Sequence, residues 1–411
     1  MKSRLICLLL AALTPALGAL AATPDLSTLA ERSDFKQTGR YAETVELCAA
    51  FAEAYPDAVR CEEFGRTPED RPLLSLVISR SGALSAAAAR AQGLPVVLVQ
   101  GGIHAGEIDG KDAGFLAVRE LLNGEAASGA LEKLVLVFVP VFNVDGHERF
   151  GAWNRPNQRG PEQMGWRTTA QNYNLNRDYA KADTIEMQAM LRLIGQWDPI
   201  VLVDLHVTDG AQFEHDISVT LEPVYSGDLE LRMAGLALRG EMMQRLSAQG
   251  SLPLPFYPSF VIGDDPTSGV YASVSPPRFS TGYMPLRNRI GVLVETHSWK
   301  DYKTRVRVTR NTVIGLIEAT VAHGSQWLSL AREADTRAAK LADSSVALAY
   351  QVQGEGHLID FRGYAYTRTP SAISGALVTR YDDVVTVLTD ERFAKDAFRV
   401  LSKEQLGASP W

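Results

Sequence analysis

Four runs of branched apolar residues constrain this chain more than any other feature: LPVVLVQGG (94–102), LEKLVLVFVPVFN (131–143), PIVLVDLH (199–206) and RIGVLVETH (289–297). Their apolar stretches do not alternate with polar residues. A strand with one wet face alternates; a strand buried on both faces does not. Between the runs lie segments with helical periodicity, GKDAGFLAVRELL (110–122), TIEMQAMLRLIGQW (184–197) and a stretch from Asp228 closed by Gly250. Buried strands alternating with helices predict an α/β fold with a mixed, largely parallel central sheet flanked by helices. RPLLSLVISR (71–80) adds a further strand, residues 23–60 read as amphipathic helix, and a long helix is expected from about Arg310 to Leu341.

Two stretches interrupt this rhythm. Residues 151–175 are rich in Asn, Gln, Arg, Gly and Trp, and residues 251–289 in Pro, Ser and Gly. Both exceed ordinary connectors, and loops of that length are usually functional or disordered. Residues 343–411 carry short β-like runs, HLIDFRGYAYTRT and DDVVTVLT, and are expected to form a small β-rich C-terminal element outside a catalytic domain of residues 23–342.

The first 22 residues read as an export signal. Lys2 and Arg4 precede an apolar run from Leu5 to Leu17 that is too short to span a bilayer, and Ala19, Ala21 and Ala22 suit cleavage. The chain is therefore expected to be periplasmic or extracellular, with no membrane insertion after cleavage. Cys48 and Cys61 would then be the cysteines left, either paired or as buried thiols. Lys+Arg 41 against Asp+Glu 48 gives a net charge of -7, which argues against a nucleic-acid partner.

The chemistry gathers at strand ends. His104 follows the first run within GGIHAGEIDG, with Glu107 three positions later. His206 ends the third run, and Glu295 stands at the end of the fourth. In an open α/β sheet, ligands bind outside the carboxyl ends of the strands. Two His and one Glu form a catalytic zinc set that leaves a position open. A bound zinc polarises a carbonyl and acidifies water, and Glu295 suits the general base that takes the proton. Arg155, Arg159 and Arg167 supply guanidinium groups in the polar loop, where an arginine can fork onto a carboxylate or stabilise an oxyanion.

In these residues the sequence resembles the zinc metallocarboxypeptidases of the carboxypeptidase A-like family. The ordered series is HAGE (His104, Glu107), NVDG, NLNRDY (Asn176, Arg177), DLH (His206) and VET (Glu295), and the resemblance spans roughly residues 34–325. It implies that one Zn2+ is held by His104, Glu107 and His206, with Glu295 as general base. Asn176 and Arg177 would grip the substrate's terminal carboxylate. The family's oxyanion-stabilising arginine is expected at Arg155, with Arg159 next and Arg167 also present. Its mobile tyrosine is expected at Tyr283, with Tyr271 competing. The implied partner is a peptide or peptide-like substrate with a free C-terminal carboxylate. Two alternatives share this fold: a zinc amidase acting on cell-wall peptides or small N-acyl amino acids, and a binding protein that has lost catalysis.

Overall fold

The computed structural model of the chain describes residues 25–342, 344–345, 347, 350 and 361–381. The proposed export signal and the DDVVTVLT run lie outside the described residues. The described chain opens with α1 (Leu29–Arg32) and α2 (Tyr41–Ala54), followed by β1 (Val59–Arg66) and β2 (Pro72–Ile78). The continuous helix read over 23–60 is thus corrected to two helices and the start of a strand. Asp34 and Phe35 take φ of +52° and +59°, a left-handed conformation that ends a helix. Cys48 on α2 and Cys61 on β1 are joined by a disulfide.

The chain continues as α3 (Ala86–Gln92), β3 (Val96–Gly101), α4 (Asp109–Asn123), β4 (Val135–Val139), α5 (Val144–Glu148), α6 (Ile185–Trp197), β5 (Val201–Val207), β6 (Ile217–Glu222), α7 (Leu229–Ala248), β7 (Pro253–Leu254), β8 (Ser259–Phe260), β9 (Val270–Tyr271), α8 (Ser280–Leu286), β10 (Ile290–Thr296) and α9 (Tyr302–Ala338). Eight strands form one sheet in the order β1-β2-β4-β3-β5-β10-β6-β7. The four apolar runs of the sequence are its centre: β4, β3, β5 and β10 lie side by side and parallel. Antiparallel β2 and β6 flank them. The expected mixed, largely parallel sheet is therefore the observed one.

The absence of alternation in the central strands has its cause in two separate apolar layers. Val97, Val99, Val203, Leu205, Val292 and Val294 pack into one core with residues of α2, α4, α7 and α9. Leu98, Val137 and Leu202 pack into a second core with residues of α3, α6 and α8. The long helix α9 begins at Tyr302, eight residues before Arg310. Its N-cap is Asp301, whose carboxylate accepts the Thr304 N–H at 2.8 Å.

Past α9, the described part of the C-terminal segment contains a hairpin, β11 (Tyr366–Pro370) and β12 (Leu377–Tyr381). Phe361 packs with Phe213, Leu254, Phe256 and Val270 in a third, small apolar cluster. Thr379 N–H donates to Asp264 at 3.0 Å. The segment thus rests on the long loop that follows β7.

Candidate metal centre and substrate pocket

The β3–α4 connection delivers the first two ligands. Gly102 takes φ +63° and turns the chain sharply after the strand. A side chain on Gly106 would come within 2.8 Å of Arg155 Cγ and of Gly165 O, so only glycine lets the polar loop close over His104 and Glu107. His206 lies near the C-terminal end of β5 and Glu295 near that of β10, directly opposite each other in parallel register.

These placements bring the sequence-predicted trio together. Ligand atoms of His104, Glu107 and His206 lie within 4.8 Å of one another. His104 Nδ1 is 3.0 Å from Glu107 Oε1, and His206 Nδ1 is 2.9 Å from Glu107 Oε2. Two imidazole nitrogens and a carboxylate facing one point form a donor set that suits zinc, and the three residues could hold a metal ion. Each histidine turns its other nitrogen outward: His104 Nε2 lies 3.1 Å from Asn174 Oδ1, and His206 Nε2 lies 3.2 Å from Asp204 Oδ1.

Burial opposes ionisation of Glu107, but His104, Arg155 and its hydrogen bonds hold its carboxyl well below the usual range. Glu295 goes the other way. Burial lifts it to about 8; His206 opposes the shift, while Glu107 and Asp209 add to it. Two carboxylates in one site are thus pushed in opposite directions.

The three loop arginines separate. Arg155 is buried and donates to Glu107 Oε1 at 2.7 Å and to the carbonyls of Val207 and Thr208 at 3.2 and 3.3 Å. It clamps the back of Glu107 and is not part of the pocket wall. Arg159 is exposed and lies 5.7 Å above the Trp299 ring. Arg167 also reaches Glu107 Oε1, at 3.0 Å, and it lines the pocket. Of the three, Arg167 is the one that lines the cavity.

A cavity of about 370 Å³ opens beside the trio, walled in part by His104, Glu107, Arg167, Asn176, Arg177 and Glu295. Arg177 stacks 4.3 Å over the Phe279 ring. Its proton is held less tightly than usual, first by burial and then by repulsion from Arg167 and Arg278. Tyr283 does not face this cavity; its ring packs 5.6 Å from that of Tyr179. Its competitor Tyr271 does line it, as does Tyr257. Tyr257 went unnoticed in the sequence. Its phenol is pushed well above the ordinary range by burial and then by Glu295 and Asp209. No motif marked it, because it lies in a Pro-rich loop without periodicity.

The NVDG motif is structural. Asp145 accepts from Thr67 Oγ1 at 2.7 Å, from Glu69 N–H at 3.2 Å and from Arg71 Nη1 at 2.6 Å, and so pins the β1–β2 turn.

The model of the zinc carboxypeptidase family, whose members are metallocarboxypeptidases and so hydrolases, matches residues 44–225 of the sequence. The matched stretch holds His104, Glu107, Asn176, Arg177 and His206, whereas Glu295 lies beyond it. Among solved structures, a protein named for carboxypeptidase A from Shewanella denitrificans OS-217 is similar at 16% identity and TM-score 0.51, over 69% of each chain. Thrombin activatable fibrinolysis inhibitor is similar at 14% identity and TM-score 0.51, over 72% of this chain and 76% of its own. At such identities the likeness concerns the fold. No curated protein sequence matches the chain.

Proposed function

We propose that the chain is a zinc-dependent carboxypeptidase that hydrolyses the last amide bond of peptides with a free C-terminal carboxylate. One observation carries this reading: His104 and Glu107 of the clustered His-Glu-His trio, the buried Glu295 and Arg177 line a single cavity. His104, Glu107 and His206 would hold the ion. Zinc, when bound there, polarises the scissile carbonyl and acidifies water.

The remaining work falls to the chain's own residues. Glu295 takes a proton from the attacking water and passes it to the leaving amine; a carboxyl lifted toward neutral pH suits both transfers. Arg167 donates to the oxyanion that develops on the scissile carbonyl. Arg155, first choice for that role in the sequence, instead fixes Glu107. Asn176 and Arg177 bind the terminal carboxylate. The mutual repulsion of Arg167, Arg177 and Arg278 supports this, since an incoming carboxylate relieves it. Tyr271 takes the place expected for Tyr283 on the pocket wall. The catalytic domain covers residues 23–342, and an export signal in residues 1–22 places the enzyme in the periplasm or outside the cell. No helix among the described residues is long and apolar enough to cross a membrane.

The test is a set of peptides supplied in pairs with free and amidated C-termini, assayed with and without a chelator. Loss of C-terminal residues from the free peptides only, abolished by the chelator and restored by zinc, is expected. Equal cleavage of both forms would point instead to an amidase or endopeptidase.

A further inference from the structure

Asp204 is a fully buried carboxylate two residues before His206 on the same face of β5. Its Oδ1 lies 3.2 Å from His206 Nε2 and accepts from Gln100 Nε2 at 2.7 Å. Its Oδ2 accepts from Ser280 Oγ at 2.6 Å. Gln100 is itself held, since Tyr179 Oη donates to its Oε1 at 2.9 Å. Among the described residues no Lys or Arg forms an ion pair with Asp204, so the ionisable partner of this buried charge is the histidine. A buried carboxylate without such a partner is costly, which makes its placement behind His206 hard to read as packing alone.

We propose that Asp204 is a positioning residue of the metal centre. Lying 3.2 Å from Nε2, its charge favours a proton on that nitrogen, and so the tautomer and ring orientation that present the Nδ1 lone pair to the metal. The two histidine ligands are therefore unequal. His104 is backed by the neutral amide of Asn174, and His206 by a charge, so His206 is the more basic donor. Asp204 also ties the centre to the substrate wall. Ser280 is the first residue of α8, and Phe279, just before it, carries Arg177 on its ring. One carboxylate thus sets a metal ligand and anchors the segment that supports the carboxylate-binding arginine.

This role rests on the metal reading above, and the experiment separates the two. Zinc affinity of the full chain is measured by competition with a chromogenic chelator, for wild type and Asp204→Asn. The substitution is nearly isosteric but removes the charge. Dissociation constants about 10–100-fold weaker are expected, with no matching change in the melting temperature of the metal-free protein. In the zinc-loaded wild type, nitrogen-15 NMR should show the His206 ring carrying its proton on Nε2. If Asp204→Asn does not fold, Ser280→Ala and Gln100→Ala each remove one donor that orients Asp204, and several-fold weaker zinc binding is expected from each. Unchanged affinity in the folded variants, or a zinc-loaded His206 protonated on Nδ1, overturns the role of Asp204 while leaving the metal site intact. Failure of the wild type to bind zinc overturns both.

Discussion

Glu295 on β10 and His206 on β5 are register partners in adjacent parallel strands. The sheet itself therefore sets the spacing between the proposed base and one metal ligand, and no loop has to order for the two to meet. Glu295→Gln keeps the shape of the side chain and removes its basicity. Its kcat/KM is expected to fall about 10²–10⁴-fold, the range for loss of a general acid–base group, with zinc content unchanged. A variant that keeps near-wild-type turnover would remove Glu295 from the mechanism.

Arg155 and Arg167 both contact Glu107 Oε1, yet they should respond differently to substitution. Arg155 is buried and bonded to two backbone carbonyls besides. Arg155→Met leaves those carbonyls unsatisfied and takes from Glu107 one of its two guanidinium partners, so metal affinity and melting temperature should fall together, with a stability loss of about 1–3 kcal/mol. Arg167→Met should leave stability nearly unchanged and lower kcat by about 10²–10³-fold, as expected for loss of an oxyanion donor. Comparing zinc titrations, melting curves and kcat for the two variants decides the matter. The opposite pattern would return the oxyanion role to Arg155.

The central sheet and the clustering of His104, Glu107 and His206 were legible in the sequence because both are written in local pattern. Non-alternating apolar runs announced β3, β4, β5 and β10, and His104, Glu107, His206 and Glu295 stood at or just past the end of one. What could not be read were relations across long sequence separations. Arg155 and Arg167 lie 12 positions apart in one loop, and only the folded loop shows which turns toward the cavity. Tyr283 looked as suitable as Tyr271 by distance from Glu295, but α8 turns it onto Tyr179. Asp204 sat in plain view inside VDLH. The role proposed for it involves Ser280, 76 residues later, which no spacing rule connects to it. The break between α1 and α2 was missed for a different reason: Asp34 and Phe35 adopt positive φ without a glycine to signal it.

The disulfide between Cys48 and Cys61 closes a short loop, with a sequence separation of 13, and ties α2 to the edge strand β1. Its removal restores conformational freedom mainly to the unfolded chain. For a loop of this size the cost of Cys48→Ala with Cys61→Ala is about 3 kcal/mol. Cys61 lies in the edge strand β1, three strands from β3 and four from β5 in the sheet order, and Cys48 on α2 is joined to it. Urea unfolding should show the loss as a lower midpoint, while zinc affinity and kcat/KM stay as in the wild type. A change in zinc affinity would mean that the edge strand supports the centre more directly than its position indicates.

The docking of the C-terminal segment should be sensitive to acid. His215 Nε2 accepts the Arg362 N–H at 3.1 Å, and its Nδ1 is 3.3 Å from the Leu252 carbonyl. Only the neutral ring can do both. Burial lowers its pKa from 6.5 to about 4; the Leu252 carbonyl opposes this, and Arg362 and Lys300 add to it. Above about pH 6.5 the ring is neutral in folded and unfolded chains alike and contributes no pH dependence. As the pH falls from 6.5 toward 4, the unfolded chain takes up the proton first and stability is lost, by at most about 3.4 kcal/mol at 1.36 kcal/mol per unit. His297, also lowered by burial, adds a loss of the same sign, so the contribution of His215 has to be read as a difference. His215→Gln supplies an amide oxygen that accepts the Arg362 N–H at every pH. Urea midpoints measured from pH 7 to 4 should therefore decline less steeply in the variant than in the wild type. Parallel curves would show that His215 does not govern the acid response.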